Sequence, residues 1–172
     1  MNEVVLITGA AGGIGQAICE RLIARGMRLA LLDIDAARLQ ALAERLGEQA
    51  CAFALDLTDQ AALSGVLAQI EARFGRLDIL INNAAVAHVQ AFDERSVESI
   101  VSELNINLIA PLVLTRLAIP LLRRSADARV ISTVSLGGIF PLPETPIYAA
   151  SKFGLRGAML SIGLDLEAKG IR

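Results

Sequence analysis

Five times along the chain a short apolar run is followed by a stretch with helical patterning, and this alternation constrains the architecture more than any other feature. The runs are residues 4–7, 29–32, 50–55, 77–81 and 129–134. Continuous apolar character, rather than alternation, is what a strand buried on both faces requires. Helical patterns cover residues 16–25, 36–46, a stretch ending near Phe74, 97–124 and 147–169, and Gly26, Gly47, Gly75 and Gly170 supply stops. Asp59 or Thr58 is positioned to cap the third helix, and Pro111 is expected to bend the long fourth one. Strand and helix in strict alternation specify a doubly wound α/β fold: a parallel sheet, helices on both faces and right-handed crossovers. The expected strand order is 3-2-1-4-5. No internal repeat, low-complexity tract or linker interrupts the pattern, so residues 1–172 are read as one domain.

The turn after the first run is Thr8-Gly9-Ala10-Ala11-Gly12-Gly13-Ile14-Gly15. Between a buried strand and a helix, such a turn lets backbone N–H groups approach a pyrophosphate, and the helix dipole favours the anion. The second run ends at Asp33, at the spacing of an acidic residue that binds an adenosine ribose. A carboxylate there accepts from both ribose hydroxyls and repels a 2′-phosphate. No Lys or Arg lies within the glycine turn or directly after Asp33, which argues for NAD over NADP. The competing reading of Asp33 is an ordinary helix cap. Asn82 and Asn83 close the fourth run, where two amides can tie neighbouring strands and loops together or simply form a turn.

Near the C-terminal end, Tyr148 and Lys152 are four apart on a helix and project from one face. A phenol alone is a poor base, and a neighbouring ammonium lowers its pKa. Ser135, delivered at the end of the fifth run, offers a hydroxyl for a substrate oxygen, so the three make a general acid/base site. The pair by itself occurs by chance on many helices. Position adds weight: Gly9, Asp33, Asp56, Asn82 and Ser135 all fall at carboxyl ends of strands, where ligands bind in such sheets.

Other features exclude functions. The net charge of −2 carries neither a nucleic-acid footprint nor a basic membrane patch. Cys19 and Cys51 lack metal-ligand spacing and read as buried, reduced thiols of a cytoplasmic protein; no metal site is expected. The N-terminus enters a strand almost at once, without the pattern of a signal peptide. The nearest thing to a membrane span, residues 104–122, is broken by Asn105, Asn107, Thr115 and Arg116. His88, the only histidine, shows no companion and reads as a surface or loop residue. Asn105 and Asn107 sit within an apolar helix, where a buried amide needs a partner or a task.

With these motifs in order, the sequence resembles the short-chain dehydrogenase/reductase family over its whole length, in its non-extended branch. Thr8-Gly9-x-x-x-Gly13-x-Gly15 is similar to the family's cofactor turn, and Asn82-Asn83-Ala84 to its next motif; Asn107, Ser135, Tyr148 and Lys152 follow the order of its catalytic tetrad. The resemblance implies a Rossmann-type NAD(P)-binding domain over residues 1–172. It implies cofactor contacts from Gly9, Gly13, Ile14, Gly15, Asp33, Asp56, Leu57, Asn83, Ala84, Tyr148 and Lys152. Tyr148 would be general base in oxidation and general acid in reduction. Lys152 would bind the nicotinamide ribose and lower the Tyr148 pKa, Ser135 would hold the substrate oxygen, and Asn107 would position a water. The substrate would be a small alcohol or carbonyl compound, with the hydride supplied by the cofactor.

The sequence departs from the family in two places. Ala85 replaces a usual glycine, and the sixth strand, the proline–glycine turn, the substrate lid and the seventh strand are not among the 172 residues. The fifth strand, with Val130, Ile131 and Val134, is therefore expected as an apolar sheet edge, and these 172 residues alone are not expected to turn over substrate. Two further readings stay open: a truncated, non-catalytic nucleotide-binding module, and a sugar-nucleotide epimerase, whose glycine spacing Gly9, Gly12, Gly15 the turn also fits. Helices around residues 104–122 and 153–166 are apolar on more than one face, so a homodimer or homotetramer is expected.

Overall fold

In the computed structural model, which describes residues 3–172, five parallel strands lie in the order β3-β2-β1-β4-β5, as the alternation requires. They are β1 (Val4–Thr8), β2 (Arg28–Asp33), β3 (Ala50–Ala54), β4 (Ile79–Asn82) and β5 (Arg129–Ser132). Helices α1 (Gly13–Ile23) and α2 (Ala36–Leu46) cover one face. On the other lie α3 (Gln60–Phe74), α5 (Ala110–Leu122) and α6 (Pro146–Glu167), with α4 (Val97–Leu104) packed beside α6. The fold is of the Rossmann type.

Why the runs are continuously apolar is visible in their side-chain period of two. Val4, Leu6, Ala30, Leu32 and Leu80 face Leu63, Ile70, Leu114 and Ala118. Their neighbours Val5, Ile7, Leu29, Leu31, Ile79 and Ile81 face Cys19, Leu39 and Leu42. A polar residue in the middle of β1 or β2, at 4–7 or 29–32, would enter one core or the other. Side-chain caps start α2, α3 and α4: Asp35 accepts from Arg38 N, Asp59 from Ala62 N and Ser96 from Ser99 N. Asp35, not Asp33, thus caps α2, and Asp59 rather than Thr58 caps α3.

Three expectations change. The helix expected over 97–124 is two helices joined by a π-helical turn, Asn105–Ile109, in which Ala110 N donates to Asn105 O; Pro111 opens α5 instead of bending its middle. Val97–Leu122 is long and apolar enough to cross a membrane by composition. Its Leu114, Ala118, Leu121 and Leu122 are buried against the sheet, as in a core helix. Finally, β5 is not a wholly open edge. Ile171 bridges Ala128 in parallel, Val130 N donates to Arg172 O at 2.7 Å, and Arg172 N to Ala128 O at 3.0 Å. Ile131 and Val134 remain exposed.

At the opposite end of the sheet from the cleft described next, buried Asp78 locks strand starts together. It accepts from Val4 N at 2.8 Å, from Arg76 Nε and Nη2 at 2.8 and 2.6 Å, and from the Ser125 hydroxyl. Burial works against its charge, but these donors outweigh it and hold the carboxyl below its usual range.

Candidate active site

The strands end in a cleft of about 530 Å³, within the range of small-molecule sites. Its floor is the glycine turn. Gly9 has φ +65°, and a Cβ on it would lie 2.8 Å from Ala84 Cα; a Cβ on Gly15 would lie 2.1 Å from Gly9 O. Only glycine allows the β1–α1 turn to pass so close to the β4 loop and to itself. No side chain caps α1 at Gly12, and no acidic residue occupies its first turn. The leading N–H groups of α1 are therefore left to a ligand, and the end is suited to an anion.

Asp33 closes the far end of the turn. Its Oδ2 accepts from Ala11 N at 2.9 Å and its Oδ1 from Asp35 N at 3.1 Å, which fixes the carboxylate while leaving further lone pairs to accept. Asp56 and Leu57 line the same end; Asp56 Oδ1 also accepts from Thr58 N and Oγ1, both at 2.8 Å. Arg38 lies here too, with Nη2 donating to Ala11 O at 3.0 Å. The sequence reading passed over Arg38, because it is five residues beyond Asp33. The first turn of α2 brings it back beside the cleft.

The amides of Asn82 and Asn83 tie strand ends together. Asn82 Nδ2 donates to Thr115 Oγ1 at 3.0 Å. Asn83 Nδ2 donates to Thr8 O and Gly9 O at 3.1 and 3.3 Å, while the Asn83 and Ala84 N–H groups donate to Thr8 Oγ1. The sequence marks Thr8 only as the start of the turn; its tie to the β4 loop was not legible, since the partners lie some seventy residues away.

Tyr148 and Lys152 reach the other end of the cleft, beside Ala84, Val86 and Thr133. Lys152 is 2% exposed, its Nζ donates to Thr133 O at 2.9 Å, and burial pulls its pKa down. Nζ lies 5.6 Å from the centre of the Tyr148 ring, the expected one-face arrangement. Ser135 and Asn107 do not line the cleft. Ser135 Oγ accepts from Gly137 N at 3.1 Å, in the short turn Leu136–Gly138. Asn107 is fully buried in the π-helical turn; Oδ1 accepts from Val86 N and Nδ2 donates to Val86 O, both at 2.8 Å. Its remaining amide hydrogen goes to Ser151 Oγ, 3.2 Å away, and Ser151 donates in turn to Tyr148 O. Ser151 was also missed from sequence. His88 has a companion after all: its Nδ1 lies 3.1 Å from Glu103 Oε2. Among the described residues no group of acidic, His and Cys side chains could hold a metal ion.

The model of the short chain dehydrogenase family matches residues 3–172. The chain belongs to that family. Its members are oxidoreductases, and the Rossmann-type fold is the one its solved relatives share. Three relatives illustrate the range. D-threitol dehydrogenase of Mycolicibacterium smegmatis is 32% identical over 99% of this chain and 67% of its own. A metagenomic short-chain oxidoreductase, solved in complex with NADP, is 31% identical with TM-score 0.93, covering 99% of this chain and 79% of its own. The 3-ketoacyl-(acyl-carrier-protein) reductase of Brucella melitensis, complexed with NADH, is 26% identical with TM-score 0.95, covering 99% and 72%. The chain thus spans roughly two thirds to four fifths of the length of these relatives.

Proposed function

We propose that residues 1–172 form the cofactor-binding domain of an NAD(H)-dependent alcohol dehydrogenase or carbonyl reductase acting on a small substrate. One observation carries this reading: Tyr148 and Lys152 open onto the same cleft as the glycine turn and Asp33. A dinucleotide would lie along this cleft, in contact with both groups. The cradle fits it, because the positions where a Cβ would collide are glycines and the α1 terminus is uncapped. Gly13, Ile14 and Gly15 would hold the pyrophosphate, Asp33 the adenosine ribose, Asp56 and Leu57 the adenine, and Asn83 and Ala84 the wall beside the nicotinamide. The cofactor supplies the hydride when bound.

In this reading the chain's own residues orient the substrate and move its proton. Tyr148 takes the proton from an alcohol, or returns it to a carbonyl oxygen. Lys152, set one helical turn away, favours the phenolate by its charge and holds the nicotinamide ribose. Ser135 turns its hydroxyl from Gly137 N to the substrate oxygen. Asn107, bonded to Val86 through both ends of its amide, supports the wall. NAD is favoured over NADP by the fixed Asp33 carboxylate; Arg38 is the group that could offset it. The unpaired thiols, with Cys19 pushed up to about 12 by burial, fit a reducing, cytoplasmic setting. Exposed Val97, Val101, Phe153, Leu160 and Leu164 on α4 and α6 fit burial against a second copy.

The test is Tyr148→Phe in the full-length enzyme, assayed with NAD and a panel of secondary alcohols. Turnover should fall at least about 100-fold while NADH affinity changes little. Near-normal turnover would remove Tyr148 from its role. Tighter binding of NADP(H) than NAD(H) by the unsubstituted protein would overturn the cofactor assignment.

A further inference from the structure

One wall of the cleft is irregular chain, and the way it is held is a feature of its own. Residues 84–87 line the cleft, yet residues 83–91 contain no strand or helix. Asn83 fixes the start of the segment to β1, and Asn107 clamps Val86 from both sides. The third point is His88, whose Nδ1 meets Glu103 Oε2. Beyond it, Val89 and Phe92 are exposed.

Glu103 is fully buried, and so is its cation: the Arg95 side chain is 1% exposed and Nη2 donates to Oε2 at 2.8 Å. Arg95 is held in turn by Ser99, through Nε to Oγ at 2.9 Å and Nη2 to the carbonyl at 3.1 Å. Burying such a pair is a poor route to stability, because desolvation offsets most of the attraction and an apolar pair of similar volume often does as well. Oε1 finds no hydrogen-bond partner among the described residues, which adds to the cost. What an apolar side chain cannot do at this place is fix the half-exposed imidazole of His88.

We infer that Glu103 is a positioning residue for substrate and nicotinamide binding: charged and oriented by Arg95, it anchors His88 and so holds residues 84–88 against α4. The inference rests on the functional reading above, and names a specificity element of the same site. Glu103 and Asn107 lie one turn apart on the α4 side, so one helix segment grips the wall at two successive points.

The experiment uses His88→Ala and the conservative His88→Asn, whose Nδ2 stands near the place of Nδ1, with Glu103→Gln as a second site. His88 is 51% exposed, so its substitution leaves the core intact. Hydrogen exchange of the ligand-free chain, followed by mass spectrometry, should show residues 85–89 exchanging about ten-fold faster in His88→Ala, with the sheet unchanged. His88→Asn should restore most of the protection. In the full-length enzyme, His88→Ala should raise the KM for alcohol about ten-fold while kcat stays within about three-fold. Unchanged exchange at 85–89, or a lowered Tm with unaltered KM, would overturn the inference. The exchange result needs no cofactor. Loosening of 85–89 in a protein that binds neither NAD(H) nor NADP(H) would therefore refute the oxidoreductase reading while leaving the anchor itself established.

Discussion

Two glycines four positions apart, Gly9 and Gly13, should respond to alanine in opposite ways. At Gly9 the added Cβ meets Ala84 Cα at 2.8 Å, Ala84 N at 3.1 Å and Ala84 Cβ at 3.2 Å, and the backbone has φ +65°. The left-handed conformation costs a residue with a Cβ about 1–2 kcal/mol. The contact adds roughly 1–3 kcal/mol, since Ala84 N and Cα are backbone held by Thr8 and its Cβ moves only with them. A protein of this size loses roughly 2–4 °C of Tm per kcal/mol, so Gly9→Ala should melt about 10 °C lower. At Gly13 an added Cβ meets nothing within 4 Å, and the residue lines the cleft. Gly13→Ala should therefore fold with an unchanged Tm, yet bind NADH at least about ten-fold more weakly by fluorescence titration, because a methyl occupies the anion's approach. Thermal melts and titrations on both variants decide the matter. Equal melting of Gly9→Ala and the parent would show that the close approach of the two loops is not what glycine provides. Parental NADH affinity in Gly13→Ala would remove the α1 terminus from cofactor binding.

Three further outcomes are expected. The depressed Asp78 pKa contributes stability that is fully present above the unfolded carboxyl value near ~4 and is lost as pH falls through the lower folded value. Asp78→Asn should cost about 2–3 kcal/mol in urea unfolding at pH 7 and flatten the acid limb of the stability profile; an unaltered limb would assign acid lability elsewhere. For Lys152 the sign reverses, because burial favours its neutral form: the penalty is full below the folded pKa and vanishes as pH rises toward the ordinary lysine value. Lys152→Met should thus raise the Tm of the ligand-free chain by a few degrees while weakening NADH binding, and a fall in Tm would contradict this. Light scattering should find a dimer or larger, and Val101→Glu with Leu164→Lys should give a monomer; a monomeric parent would leave the exposed apolar faces of α4 and α6 without that explanation.

What was legible in the sequence is what local chemistry determines. The apolar runs give the strands because both faces of a parallel sheet exclude water, and the order follows from the crossover rules. Gly9, Gly15, Asp33, Tyr148 and Lys152 were legible because their spacing along one strand–turn–helix or one helix face fixes their geometry. The contacts that escaped notice depend on partners distant in sequence. Thr8 receives two N–H groups from the β4 loop, and Ser151 acquires significance only beside Asn107. Glu103 is one of two glutamates on α4, and nothing local indicates that Arg95 and His88 converge on it rather than on Glu98. Arg38 did leave a signal: a basic residue in the first turn of the helix that follows the acidic strand end.

The π-helical turn connects these observations. An α-helix advances about 100° per residue, so one residue accommodated in a wider turn rotates everything before it by that amount relative to everything after. Here α5 must face the sheet with Leu114, Thr115 and Ala118, while α4 must turn Glu103 inward and Val97 and Val101 outward. The turn lies between these two segments and contains Asn107, with its neighbour Ile106 at the cleft wall. Its poorer hydrogen bonding is a local cost, offset because the same five residues bury Asn107 against Val86 and let Glu103 reach His88. An uninterrupted helix over residues 97–122 would keep the packing of α5 and rotate α4 away from the loop. The wall of the cleft would then lose its anchor at His88 though every residue of that wall was unchanged.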